Sequence, residues 1–103
     1  MFNKTISKQL TEIMKLCYQI NNVETNREKT GNLPTVFAQF YGHTCQLDVY
    51  IYDEGWSTPH DEEAWRIGVY LTEDNASTLL DKIIDRLNVT LKTKARKEKK
   101  QNV

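Results

Sequence analysis

The sequence lacks any apolar run near the roughly 18 to 20 residues that a membrane-spanning helix needs, so we expect no membrane segment. It has two cysteines, Cys17 and Cys45, which could form at most one disulfide, and its polar start does not resemble a secretory signal. We therefore expect a soluble protein of the reducing cytoplasm. A chain of 103 residues has the length of one domain and leaves no room for a second core.

The sequence signatures of catalysis and of phosphate binding are also missing. The chain has no CxxC pair, no HExxH, no GxSxG and no glycine-rich phosphate loop. His43, Cys45 and His60 could form a metal or thiol site, but the alternating pattern around Cys45 points it into the core, and Cys17 lies on an apolar helix face. We therefore predict no enzyme, no cofactor and no metal, and keep a metal- or thiol-dependent enzyme as the weakest alternative.

The charges are balanced in number but segregated along the chain. Residues 1–45 carry five basic and three acidic groups (+2), residues 46–85 carry two basic and ten acidic groups (−8), and residues 86–103 carry seven basic groups and one acidic group (+6). One interpretation is a solvated acidic surface with a solubilising basic tail. The other interpretation is that the acidic segment meets a basic partner.

The hydrophobic periodicity predicts two helices and three strands. A helix is expected over residues 5–22, with an apolar face formed by Ile6, Leu10, Ile13, Met14, Cys17 and Ile20. Strands are expected over residues 35–41, 45–52 and 64–71, because β-branched and aromatic residues alternate there with polar ones. The second helix is expected to begin within Thr72 to Asn75, which offer capping side chains, and to bury Leu79, Leu80, Ile83, Ile84, Leu87 and Leu91.

These elements predict an α+β fold in which two amphipathic helices cover one face of a three-stranded antiparallel meander, a two-layer sandwich of order α-β-β-β-α. We expect a single domain over residues 1–93. The basic residues 94–103 offer little apolar surface, so we expect a disordered tail or a frayed helical extension that contributes little to stability.

The sheet face away from the helices is the predicted binding site. Tyrosine, tryptophan and arginine are the residues most enriched at binding hot spots, and here acidic residues surround them. The candidates for partner binding are Asp48, Tyr50, Tyr52, Asp53, Glu54, Trp56, Asp61, Glu62, Glu63, Arg66 and Tyr70. The first strand adds either Phe37, Gln39 and Tyr41 or the residues that alternate with them.

The segment VFAQFYGHTCQLDVYIYDEGW, residues 36–56, resembles small uncharacterised proteins of phages and prophages of low-GC Gram-positive bacteria. The resemblance rests on an aromatic strand, a Gly-His turn, an alternating strand and a Gly-Trp loop in succession. It implies a phage-encoded protein that binds a host protein. The overall plan also resembles small anti-CRISPR proteins, whose acidic surfaces take the place of DNA phosphate.

The leading functional prediction is a non-enzymatic interaction protein, a phage inhibitor of a host protein that handles nucleic acid or takes part in defence. The alternative is a nucleic-acid-associated protein that uses the basic tail, whose cations could contact several phosphates. The helix-sheet-helix order also resembles double-stranded RNA-binding domains. Such domains contact phosphate with a lysine-rich start of the second helix, whereas Thr72 to Asn75 are acidic here, which argues against duplex binding at that site.

Overall fold

The computed structural model describes residues 3–22, 33–55 and 64–101 and confirms the predicted order of elements. The first helix, α1, spans Lys4–Asn21. Strands β1, β2 and β3 span Thr35–Tyr41, Gln46–Tyr52 and Trp65–Tyr70, each within one residue of its predicted bounds. The second helix, α2, spans Ala76–Gln101.

Helix α1 follows Asn3, whose side chain accepts a backbone hydrogen bond from the first turn at 3.1 Å and caps the helix. The predicted apolar face is wrong at Met14, which is 61% exposed, and Leu16 is buried instead. Each residue turns the helix by about 100°, so Leu16 lies roughly 60° from the buried Ile13 while Met14 lies about 100° away on the other side. Leu16 therefore faces the core and Met14 faces solvent.

The sheet has the strand order β1-β2-β3, and both pairings are antiparallel. Buried Val36 of β1 lies opposite buried Ile51 of β2. Residues directly opposite each other share a sheet face, so this register places the even-numbered residues of β1 on the helix side. The sequence left open which alternate residues of β1 lie on the sheet face away from the helices. They are Phe37, Gln39 and Tyr41.

A single core fills the space between the two helices and the sheet, as a two-layer α+β fold requires. Its buried residues come from all five elements, namely Ile13, Leu16, Cys17, Ile20, Val36, Leu47, Val49, Ile51, Val69, Ala76, Leu80, Ile83 and Leu87. The predicted stripe of α2 lies here, with Leu79, Ile84 and Leu91 partly buried at its margins. In the described part of the chain, neither helix combines the length and apolarity needed to cross a membrane.

The prediction that Cys45 opens the second strand and points into the core is wrong. Strand β2 begins one residue later, and Cys45 closes the preceding turn with φ 52°, in the left-handed region. Its side chain is half-buried. The carbonyl of Cys45 accepts a hydrogen bond from the N–H of Leu71 at 2.9 Å, so the turn is tied to the end of β3.

Helix α2 passes residue 93, the boundary predicted between the domain and a tail expected to be either disordered or a frayed helical extension. It continues to Gln101, and Lys94 is only 6% exposed. The ammonium group of Lys94 donates hydrogen bonds to the carbonyls of Gln19 and Asn22 at 2.7 and 2.9 Å, at the C-terminus of α1. This contact argues against the expectation that residues 94–103 contribute little to stability, because the Lys94 cation satisfies carbonyls that helix α1 leaves without partners.

Candidate binding surface

The sheet face on which neither helix packs is defined here as the open face. Strand alternation and the pairing register place eleven residues on it: Thr35, Phe37, Gln39, Tyr41, Gln46, Asp48, Tyr50, Tyr52, Arg66, Gly68 and Tyr70. Five of the eleven are aromatic. Of the sequence-predicted site, Asp48, Tyr50, Tyr52, Arg66 and Tyr70 are thus on one continuous surface.

The aromatic side chains of the open face pack against one another and against Arg66. The rings of Phe37 and Tyr52 meet edge to face, with centroids 5.7 Å apart and planes at 89°. The guanidinium carbon of Arg66 lies 5.6 Å from the ring centroid of Tyr50, its cross-strand neighbour, within cation–π range. Tyr70 remains 50% exposed. These contacts restrict the rotamers of large side chains before any partner arrives.

Asp48 is the acidic centre of the open face. Its Oδ1 accepts a hydrogen bond from Gln46 Nε2 at 2.7 Å. Beside it, the Tyr41 hydroxyl donates to Gln39 Oε1 at 2.7 Å. Partial burial first, and then the negative charge of Asp48, raise the pKa of the Tyr50 hydroxyl above its ordinary value of 10. The raised pKa favours the protonated hydroxyl, which can donate a hydrogen bond.

Gly68 leaves a gap in the open face that Asp48 occupies. A Cβ atom placed on Gly68 would lie 2.8 Å from Asp48 Oδ1 and 3.3 Å from Gln46 Nε2. The carboxylate of Asp48 therefore leans from the central strand β2 across the backbone of β3. Gly68 was not among the predicted site residues, although a glycine inside an alternating strand is a signal of close approach by another group.

Asp53 and Glu54 are placed differently from the predicted partner site, because both bind cations of helix α2. Asp53 Oδ2 lies 2.6 Å from Arg86 Nη2. Glu54 Oε2 lies 3.3 Å from Lys97 Nζ, which also donates to the carbonyl of Asp53 at 2.9 Å. These two carboxylates hold the end of β2 against α2. Trp56, Asp61, Glu62 and Glu63, the remaining predicted site residues, lie outside the described residues.

The candidate metal and thiol residues are dispersed in the described part of the chain. Cys17 is a core residue, and burial raises the pKa of its thiol to about 11, which keeps it protonated and weakly nucleophilic at neutral pH. His43 is exposed in the turn between β1 and β2, and His60 lies outside the described residues. No group of three His, Cys, Asp or Glu residues with metal-binding geometry occurs in ranges 3–22, 33–55 and 64–101.

The basic end of α2 divides into an inner and an outer side. Lys94 binds carbonyls at the end of α1 and Lys97 binds the end of β2, whereas Lys92, Arg96 and Lys99 are exposed. The exposed three recur at spacings of four and three, so they share one helix face. This arrangement presents a short positive stripe to solvent.

Comparison of the chain with profiles of known protein families, with curated proteins and with solved structures finds no significant match.

Proposed function

We propose that the protein is a non-enzymatic binding module that holds another protein against its open face. The observation that supports this most is the concentration of Phe37, Tyr41, Tyr50, Tyr52 and Tyr70 on one sheet surface that neither helix covers. A few residues dominate the energy of protein–protein interfaces, and these are enriched in tryptophan, tyrosine and arginine. A surface of this composition is expected to bind rather than only to cover a sheet.

The contacts within the open face also favour binding. Arg66 is stacked on Tyr50, and Phe37 is packed on Tyr52, so these side chains have already lost part of their rotamer freedom. Ordering side chains costs roughly 0.5 to 1.5 kcal/mol each when two proteins associate. A face that is ordered in advance avoids part of that cost, and strands hold it more rigidly than loops do.

The proposed partner is a host protein that binds nucleic acid or acts in defence against phages. Two features favour a basic partner: the acidic segment 46–85, and the position of Asp48 at the centre of the open face. Opposite charge on the two proteins speeds association and selects the partner. The likeness of residues 36–56 to phage and prophage proteins makes a bacterial host protein the natural target.

The test is capture from a lysate of a low-GC Gram-positive bacterium, treated with nuclease, by three forms of the tagged protein. The wild type and a control with Met14→Ala and Tyr18→Ala, both exposed on α1, should retain the same host protein. A variant with Tyr50→Thr, Arg66→Thr and Tyr70→Thr should lose it while remaining folded. Equal retention by all three forms would move the site off the open face.

A second candidate function, nucleic-acid association, is favoured by the exposed stripe of Lys92, Arg96 and Lys99. Three cations can neutralise about three phosphates, so binding should be weak and should fall steeply with salt. A gel-shift titration at 50 and 200 mM salt, with the three residues changed to Gln as the comparison, tests it. Capture that disappears after nuclease treatment would favour this function over protein binding.

A further inference from the structure

Strand β3 forms one edge of the sheet, so its outward backbone groups can accept another strand. The N–H of Leu71 points towards β2, where it bonds to Cys45. Along an antiparallel strand, the N–H and C=O groups of successive residues point alternately towards one neighbouring strand and away from it. The N–H and C=O groups of Arg66 and Gly68, and the N–H of Tyr70, therefore point away from β2. Exposed edges of this kind recruit extended peptides through main-chain hydrogen bonds.

A groove runs beside this edge, between β3 and the start of helix α2. It is lined by Gly68, Tyr70, Glu73, Asp74, Asn75 and Leu79. Glu73 and Asp74 add negative charge to the groove, and Leu79, a half-buried residue of the α2 stripe, adds an apolar contact on the helix side. The groove thus offers both negative charge and apolar surface beside the edge of β3.

The carboxylate of Asp48 is within reach of a strand added at this edge. It lies over Gly68, 2.8 Å from where a Cβ atom would be. Neighbouring strands are about 4.8 Å apart, so a long side chain opposite Gly68 can cross the glycine and meet Asp48. Any larger residue at position 68 would stand between the two groups.

We propose that the β3 edge binds an extended segment of the partner protein as a fourth strand, with a lysine or arginine opposite Gly68 paired to Asp48. The residues on either side of that cation point to the helix side, where Leu79 favours apolar side chains. The recognised pattern is therefore apolar, basic, apolar. This inference rests on the proposed protein-binding function and names how the partner engages the sheet.

Charge complementarity selects a foreign basic segment over a second copy of this chain. No cation in the described residues pairs with Asp48, Glu73 or Asp74. A second copy of β3 would bring Arg66 from a segment, 46–85, that carries ten acidic groups and two basic ones. A basic peptide meets the same carboxylates without adding negative charge.

The test is an NMR titration of the ¹⁵N-labelled full chain with a capped seven-residue peptide that has Lys at its centre, a Val on each side and Thr elsewhere. Binding should shift the amide signals of Arg66, Gly68 and Tyr70 and slow their hydrogen exchange. Replacing the central Lys with Glu should weaken binding at least about tenfold, because it sets like charges against Asp48.

Two matched variants isolate the Asp48 contact. The Asp48→Asn variant should lose most of the roughly tenfold difference in affinity between the Lys peptide and the Glu peptide. Asp85→Asn, which removes the same charge from an exposed position on α2, should keep the preference. Equal preference in the two variants would remove Asp48 from the site.

Other outcomes overturn the proposal directly. Shifts confined to β1, or no shifts at about 1 mM peptide, would show that β3 does not recruit the strand. A dimeric mass with protected Arg66 and Gly68 amides in the unliganded chain would assign the edge to a second copy. If the open-face variant loses its captured protein while the peptides do not bind, the proposed function stands and this inference falls; if capture also fails, both fall.

Discussion

At the residue scale, Lys94 is a buried cation whose ammonium group is met by hydrogen-bond acceptors. Its ammonium group meets the carbonyls of Gln19 and Asn22, and the carboxylate of Glu98 lies 4.0 Å away. Helix α1 has no basic residue in its own last turn. The cation supplied by α2 therefore complements the negative end of the α1 dipole and satisfies its final carbonyls.

Changing Lys94 to Met should lower the free energy of unfolding by about 1 to 3 kcal/mol, because charge-assisted hydrogen bonds to two helix-terminal carbonyls are lost. Lys92→Met is the matched control, since Lys92 is exposed on the same helix and should change stability by less than about 0.5 kcal/mol. Urea unfolding followed by circular dichroism measures both. Equal midpoints would mean that water replaces the Lys94 contacts without loss.

The buried thiol of Cys17 should make the protein less stable in alkali. Its folded pKa is raised from 9.0 to about 11, so above pH 9 the unfolded chain ionises first, and stability is lost as pH rises towards 11. The loss should reach about 2 kcal/mol by pH 11. Unfolding in urea at pH 8 and pH 11 under a reductant should show a smaller difference for Cys17→Ala; an identical difference would contradict this origin.

The alternation of residues along the predicted strands predicted part of the open face. It missed the position of Cys45 and the contact between Asp48 and Gly68. Alternation placed Tyr50, Tyr52 and Tyr70 correctly, because successive side chains of a regular strand point to opposite faces and the pairing of β2 and β3 is regular over these residues. It failed at Cys45, where a left-handed residue interrupts the alternation before the strand begins. The lean of Asp48 over Gly68 is a contact between two strands, and strand periodicity carries no such information.

At the element scale, helix α2 continues past residue 93, where the sequence predicted the basic tail to begin. Its buried residues Leu80, Ile83, Leu87, Thr90 and Lys94 follow one another at spacings of three and four. The stripe therefore continues after the apolar residues end. Extending the helical period into polar positions would have indicated the contact, whereas hydrophobicity alone ended the domain at residue 93.

Deleting residues 94–103 should destabilise the protein by about 2 to 4 kcal/mol. The deletion removes the Lys94 contacts with α1 and the Lys97 contacts with Asp53 and Glu54, each of which includes charge-assisted hydrogen bonds. Thermal and urea unfolding measure the change. Deleting residues 99–103, which keeps both lysines, is the control and should leave stability within about 0.5 kcal/mol. If the variant without residues 94–103 is as stable as the wild type, this segment is dispensable for stability.

At the scale of the whole molecule, the fold brings the segregated charges of the sequence together. Arg86 and Lys97 of the basic C-terminal segment pair with Asp53 and Glu54 of the acidic middle segment. Arg86 also lies over the ring of Trp65, with 5.6 Å between its guanidinium carbon and the ring centroid. Part of the acidic charge is thus paired within the chain, whereas Asp48, Glu73 and Asp74 have no cationic partner among the described residues.

The position of each strand in the sheet predicts how strongly its amides are protected from hydrogen exchange, because β2 is central and β3 lies at an edge. Strand β2 is paired on both sides and backs the core, so the amides of Leu47, Val49 and Ile51 should exchange at rates set by global unfolding. In β3, by contrast, protection should alternate. Ile67 and Val69 point their N–H groups to β2, whereas those of Arg66 and Gly68 point outward.

We expect the protection factors of Arg66 and Gly68 to be at least about a hundredfold lower than those of Ile67 and Val69, because opening of an edge amide does not require unfolding of the sheet. Hydrogen exchange by NMR on the free chain measures all four amides, after correction for their intrinsic rates. High protection at Ile67 and Val69 is the internal control, since it shows that β3 is formed. Equal protection at Gly68 and Val69 would mean that the outward edge of β3 is already covered in the free protein, and the edge could then recruit a partner strand only by displacing what covers it.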